Sequence, residues 1–307
     1  MSRVFDALQR SGLEKTGVEY PDMVSIATNV FETPQDQAVG EPAKEESELV
    51  APDSVIENSP AEVPMLEVES DASFAFPSVP VSVAASNRLV FYTEPDSLAA
   101  EKFRFLGVRL RQMRQNRPLK KVLVTSTIPE EGKSMVSVNL AGVLARRKEK
   151  VLLIDGDLRR PVIAEYAGLK RLTGLAEWLK SGSNKPSNIY HLAEPGFWIM
   201  PAGDPPENPL ELMQSGRLSR LMEQVATFFD WIVVDSPPLL PLADTTVWSR
   251  LTDGTLLVTR EGTTQKNALK RGLEVLKQTD LLGVVLNGCF HAEHENYYRR
   301  YTPPTAR

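Results

Sequence analysis

The sequence predicts an α/β domain: a doubly wound, mostly parallel sheet with helices on both faces, preceded by a disordered acidic N-terminal segment. Three observations carry this. Six short runs, "KVLVTS", "KVLLID", "GFWIMPAG", "WIVVDSPP", "GTLLVTR" and "LLGVVLNG", are nearly continuously apolar and alternate with helical stretches. Strands apolar on both faces belong to a parallel sheet covered on both sides. The charge is also divided. Residues 20–87 hold thirteen Asp and Glu against one Lys, together with eight prolines. Since the whole chain is −5 and residues 1–19 are balanced, residues 88–307 carry about +7.

Taken in order, "SRVFDALQRSGLEK" can form a short helix with Val4, Phe5 and Leu8 on one side, as a docking segment or as a frayed terminus. Residues 20–87 lack apolar periodicity and read as a disordered, Pro-containing linker. The ordered domain is expected over 88–290, and residues 291–307 form a tyrosine-containing tail. Within the domain "RLVFY" reads as a strand. "PDSLAAEKFRFLGVRLRQMRQ" reads as a helix capped by Asp96 or Ser97, with basic residues gathering toward its end. No apolar run approaches the ~20 residues needed to cross a bilayer, and no signal peptide opens the chain. Cys289 is the only cysteine, so no intramolecular disulfide can form, and a buried, inert thiol is expected. The expected location is the cytoplasm, with any membrane association supplied by a partner.

The chemistry gathers at strand ends. In "VLVTSTIPEEGKSMVSVNLA" a strand runs into a helix through a turn matching the phosphate-loop pattern G-x-x-x-x-G-K-[ST], except that Thr127 takes the first glycine position. The loop is Thr127, Ile128, Pro129, Glu130, Glu131, Gly132, Lys133 and Ser134, followed by Met135. Backbone N–H groups of Glu130 to Ser134 can wrap a β-phosphate at the start of a helix beginning near Lys133. Lys133 would reach the β and γ oxygens, and the Ser134 hydroxyl would ligate Mg²⁺. Asp155 and Asp157 follow one apolar strand and Asp235 another. A charge at such a position is costly unless paired or metal-bound. Asp235 fits a water-mediated Mg²⁺ contact, and Asp155 fits holding either Ser134 or the Mg²⁺ shell. Helix caps or salt bridges are the bland alternative, and three such acids together weigh against it. Arg159 and Arg160 could stabilise phosphate charge or simply be solvated.

The trio "PEEGKS", "LLIDGDLRRP" and "IVVDSPP" resembles the Walker A, A′ and B motifs of bacterial tyrosine kinases, P-loop NTPases that control capsular and exopolysaccharide machinery. The resemblance spans about 90–301. It implies ATP and Mg²⁺ as cofactors and Lys133, Asp155, Asp157 and Asp235 as catalytic residues. Asp157 would orient a tyrosine hydroxyl and accept its proton late. It further implies that Tyr297, Tyr298 and Tyr301 in "ENYYRRYTPPTAR" are the phosphoacceptors. From its position at the end of the last strand, Asn287 is a candidate contact for adenine. "EKFRFL" resembles the family's E-x-x-R-x-x-R oligomerisation motif at Glu101 and Arg104, with Gly107 in the third position and Arg109 two residues on.

Glu130 stands where many members carry glycine, and its side chain is expected to face solvent. The implied partners are further copies of the chain in a homo-oligomer with trans-autophosphorylation, a membrane polysaccharide co-polymerase as adaptor, and a tyrosine phosphatase. No nucleic acid is expected. The adaptor would recruit the protein to the inner face of the plasma membrane. Partition-type ATPases use a related site with a signature lysine where Ile128 stands here. A partition-type ATPase switch remains the alternative, as does a nucleotide-binding regulator without tyrosine transfer.

Overall fold

The computed structural model describes residues 76–81, 89–240 and 242–289. The expected helix at 1–19, the acidic segment up to residue 75 and the tail tyrosines lie outside the described residues.

The elements are β1 (Ser78–Val79), α1 (Val90–Thr93), α2 (Leu98–Asn116), β2 (Lys121–Ser126), α3 (Lys133–Ala145), β3 (Val151–Asp155), α4 (Ile163–Tyr166), α5 (Leu175–Ser181), β4 (Tyr190–Leu192), β5 (Phe197–Met200), α6 (Pro209–Met213), α7 (Arg217–Phe228), β6 (Trp231–Asp235), α8 (Asp244–Ser249), β7 (Gly254–Arg260), α9 (Lys266–Val275), a 3₁₀ turn (Leu276–Gln278) and β8 (Leu281–Asn287). The strands form one sheet in the order β1-β4-β5-β3-β6-β2-β7-β8. From β5 to β8 every neighbour is parallel. Only the β4–β5 pair is antiparallel.

Alternate residues of each central strand feed opposite faces, which is why these strands read as unbroken apolar runs. Val122, Val124, Leu153 and Val233 pack toward α3 and α1, with Val138, Leu140 and Phe91. Leu123, Leu152, Ile154, Ile232 and Val234 pack on the other face with Trp178, Leu221 and Trp248. Helix α3 is almost wholly buried between the sheet and α2, so it carries no amphipathic stripe. Helix α2 begins at Ser97, whose hydroxyl accepts the Ala100 N–H at 3.1 Å, which settles the choice between Asp96 and Ser97.

Three expectations are corrected. "RLVFY" is not a strand: Val90–Thr93 is a helical turn. Tertiary contacts decide it, because the Phe91 N–H donates to Asn139 Oδ1 at 3.3 Å and the Phe91 ring lies where a Cβ on Gly142 would sit. A short apolar run does not by itself distinguish the two. The sheet also draws β1 from inside the span read as linker, where Ser78 pairs with His191 and Phe76 stacks on Phe229 at 5.8 Å. Cys289 is half-buried rather than buried. Its thiol is nevertheless pushed up to about 11 by burial and by Glu261, which leaves it poorly nucleophilic. Among the described residues no helix is long and apolar enough to cross a membrane.

Candidate active site

Strand β2 ends at Ser126, and the chain turns through Thr127–Gly132 into α3. Gly132 stands at the N-cap of α3 with φ +91°, a conformation that favours glycine, and no side chain caps this end of the helix. The first N–H groups of α3 therefore remain available to an anion. Glu130 also lies in the left-handed region, at φ +66°, and its side chain is exposed as expected. Its carbonyl accepts from Arg260 at 3.2 Å. Pro129 is exposed beside it, and Met135 is partly buried against the core.

The parallel register brings the acids together. Asp155 and Asp235 are paired residues on adjacent strands, and Asp235 is also level with Val124 of β2. Lys133 donates to Asp157 Oδ2 at 3.0 Å and to Ser134 Oγ at 3.2 Å, and lies 3.6 Å from Asp235 Oδ2. Ser134 donates to Asp235 Oδ2 at 2.6 Å. Ser137 Oγ lies 3.0 Å from Asp235 Oδ1 and 2.9 Å from Lys133 O. Four residues past Lys133, Ser137 occupies the same helix face one turn on. That spacing is the signal for it in the sequence.

Charge in this cluster is unbalanced. Three buried carboxylates surround one ammonium. Burial, followed by the charge of Asp235, pushes Asp155 up to about 8. Burial raises Asp235 as well, against the pull of Lys133 and the two serine hydroxyls. For Lys133 burial works downward, but Asp235 and Asp157 outweigh it and the balance is upward. A site short of positive charge suits a divalent cation. Among the described residues no three His, Cys, Asp or Glu side chains are grouped to hold a metal by themselves.

Several predicted residues are held by contacts within the chain. Asp155 does not hold Ser134; its oxygens accept from Asp157 N–H at 3.2 Å and Ile163 N–H at 3.1 Å, which folds the segment after β3. Arg159 is drawn into a two-pronged pair with the buried Asp244, at 2.6 and 3.2 Å. Arg160 donates its N–H to Asp157 Oδ1 at 3.0 Å, and its side chain is exposed. Glu131 buries its carboxylate against the Ile128 N–H at 2.9 Å and the Thr264 hydroxyl. Thr127 is buried with an unpartnered hydroxyl, close to Gly272 of α9. Asn287 donates to the Glu131 carbonyl at 2.9 Å, so one of its N–H groups braces the loop. Glu101 and Arg104 pair with each other at 2.5 Å on α2. Trp248 of α8, which the sequence did not single out, donates to the Gly156 carbonyl at 3.2 Å.

The family described as ParA, an NUBPL iron-transfer P-loop NTPase, matches residues 119–299. Tyrosine-protein kinase YwqD of Bacillus subtilis is 33% identical over 211 residues, covering 68% of this chain and 89% of that protein. The chain belongs to the bacterial tyrosine-protein kinase family. Tyrosine-protein kinase CpsD of Streptococcus pneumoniae is 34% identical over 172 residues, 55% of this chain and 76% of that one. The solved kinase domain of the Escherichia coli tyrosine kinase ETK superposes with a TM-score of 0.62 at 29% identity, covering 66% of this chain and 82% of that domain. Longer kinases of the family extend well beyond the match: the chain spans 26% of tyrosine-protein kinase ptk of Acinetobacter johnsonii.

Proposed function

We propose that this chain is a protein-tyrosine autokinase that uses Mg²⁺ and ATP, modifies Tyr297, Tyr298 and Tyr301 of its own tail, and regulates exopolysaccharide or capsule synthesis and export. The observation that carries the proposal is Lys133 held among Asp157, Asp235 and Ser134 at an uncapped helix N-terminus. Mg²⁺-ATP supplies the transferable phosphoryl group, with the ion neutralising part of its charge. The N–H groups at the start of α3 and the Lys133 ammonium bind phosphate oxygens, and Ser134 and Asp235 are the residues to hold the ion. Asp155 organises the turn that carries Asp157.

Asp157 orients the acceptor hydroxyl and takes its proton. Lowering a tyrosine pKa from ~10 to ~7 would take about 4 kcal/mol. Prior deprotonation is unnecessary, because phosphoryl transfer has a loose transition state and depends chiefly on position and charge. From Asn287 to Tyr297 the chain extends at most about 35 Å, so both cis and trans delivery are within reach.

The proposed assembly is a homo-oligomer in which α2, with Glu101 and Arg104, contributes to the contact. A membrane polysaccharide co-polymerase would recruit and activate the kinase at the inner face of the plasma membrane, touching residues 1–15 or 88–115, and a tyrosine phosphatase would reverse the modification. Incubation with γ-labelled ATP and Mg²⁺, followed by mapping of the label, tests the proposal. Label on the tail tyrosines is expected. Free phosphate alone would instead indicate an ATPase switch, and neither product a nucleotide-binding regulator.

A further inference from the structure

The phosphate loop is tied to the exit of the last strand. Asn287 is the final residue of β8, and its Nδ2 donates to the Glu131 carbonyl at 2.9 Å. Its Oδ1 accepts the N–H of Gly288 at 2.9 Å, and its own carbonyl accepts the Glu261 N–H at 2.9 Å. The contact is close: a Cβ built on Gly132 would fall 2.1 Å from Asn287 Nδ2. The bare backbone at 132 therefore does two things, supplying the left-handed turn and letting this amide reach the loop. On the loop side, Glu131 is fixed further by the bonds of its buried carboxylate to Ile128 N–H and Thr264. On the strand side, Gly288 has φ +73° and turns the chain out of the sheet, nine residues before Tyr297.

A single planar amide thus holds one peptide of the phosphate-binding turn with its donor and the first peptide beyond β8 with its acceptor. Donor and acceptor cannot move independently, because they share one rigid group.

We propose that Asn287 is a positioning residue that couples the state of the phosphate loop to the direction in which the tyrosine-bearing tail leaves β8. This rests on the autokinase reading for its consequence, though the coupling itself can be measured separately. Asn287 acts through the Glu131 peptide and the Gly288 peptide, and its side chain does not take part in transfer.

Two variants separate the donor from the acceptor. Asn287→Asp keeps size and the acceptor for Gly288 but loses the donor to Glu131, whereas Asn287→Ala loses both. For each, affinity for a fluorescent ATP analogue, release of free phosphate and tail-tyrosine labelling at saturating ATP are measured, with melting temperature as the folding control. Tail labelling is expected to fall ten-fold or more beyond any change in affinity or phosphate release, each taken relative to the parent chain. A parallel fall in all three quantities, or unchanged labelling, overturns the proposal. Independently of activity, Mg²⁺-ATP is expected to alter hydrogen exchange at Gly288–Phe290 in the parent chain and not in Asn287→Asp. An equal response in both overturns the coupling. If the parent chain labels no tyrosine yet shows this exchange change, the autokinase reading fails and the coupling stands.

Discussion

Asp157 and Asp155 sit two residues apart and do different work. Asp157 faces Lys133 across 3.0 Å, whereas Asp155 is spent on the N–H groups of Asp157 and Ile163. On the proposed role of Asp157 as proton acceptor, Asp157→Asn is expected to lower tyrosine transfer by about 10²–10⁴-fold while changing nucleotide affinity little. Steady-state labelling set against equilibrium nucleotide titration checks the split. Asp155 supports a different expectation. Its folded pKa of about 8 lies far above the ~3.9 of an unfolded chain. A raised pKa contributes stability that is complete below about pH 4 and is lost as pH rises through about 8. The nucleotide-free protein should thus melt at progressively lower temperature between pH 5 and pH 9. Asp155→Asn should flatten that slope, leaving the part contributed by Asp235. A slope unchanged in the variant would show that Asp155 is already ionised at neutral pH.

Short helices decide where these residues stand. Helix α8 spans six residues, yet Asp244 takes Arg159 in a two-pronged pair and Trp248 packs against Gly156, where a Cβ would meet the indole at 2.7 Å. Together they clamp the segment Gly156–Arg159 that carries Asp157. Asp244→Asn keeps the volume but weakens the hold on Arg159. It is expected to lower transfer about ten-fold, with a stability loss of about 1 kcal/mol because Arg159 is more than a third exposed. Turnover and urea melts on the same preparation check this, and a stability loss without a turnover effect would make the clamp purely structural. The sequence made the central strands and the uncapped helix legible because burial on both faces leaves continuous apolar runs, and because loop chemistry demands glycine and lysine at fixed offsets. It did not disclose the clamp, since an Arg near a phosphate motif reads the same whether it faces phosphate or Asp244. Nor did it disclose β4 and β1: three- and two-residue strands carry no periodicity to read. "RLVFY" misled for a related reason, as its helical turn is set by Asn139 and Gly142 roughly fifty residues away.

At the scale of the whole molecule the proposed autokinase function raises the question of which active site a given tail would serve. Ten residues separate Asn287 from Tyr297, enough to return to the chain's own site or to enter a neighbour's. Helix α2 favours the second. It presents Phe105, 58% exposed, and Val108, 41% exposed, beside the Glu101–Arg104 pair, with the Arg109 guanidinium 5.1 Å from the Phe105 ring centre. Apolar side chains left exposed among charges suit contact with another copy. Arg109, two residues beyond Gly107, would lie in such a contact, while Gly107 itself is buried facing Val143 and Leu144. Mixing a Lys133→Met chain that retains its tail with an otherwise intact chain truncated after residue 290 isolates delivery between molecules. The first cannot transfer and the second has no acceptor. Label on the Lys133→Met tail is therefore expected only if one molecule's site receives another's tyrosines. That label should fall when Phe105 is changed to Glu in both chains, because the charge would have to be desolvated at the contact. An unlabelled tail in the mixture, with the parent chain labelling normally, would establish transfer within a single chain and leave the exposed face of α2 to a different partner.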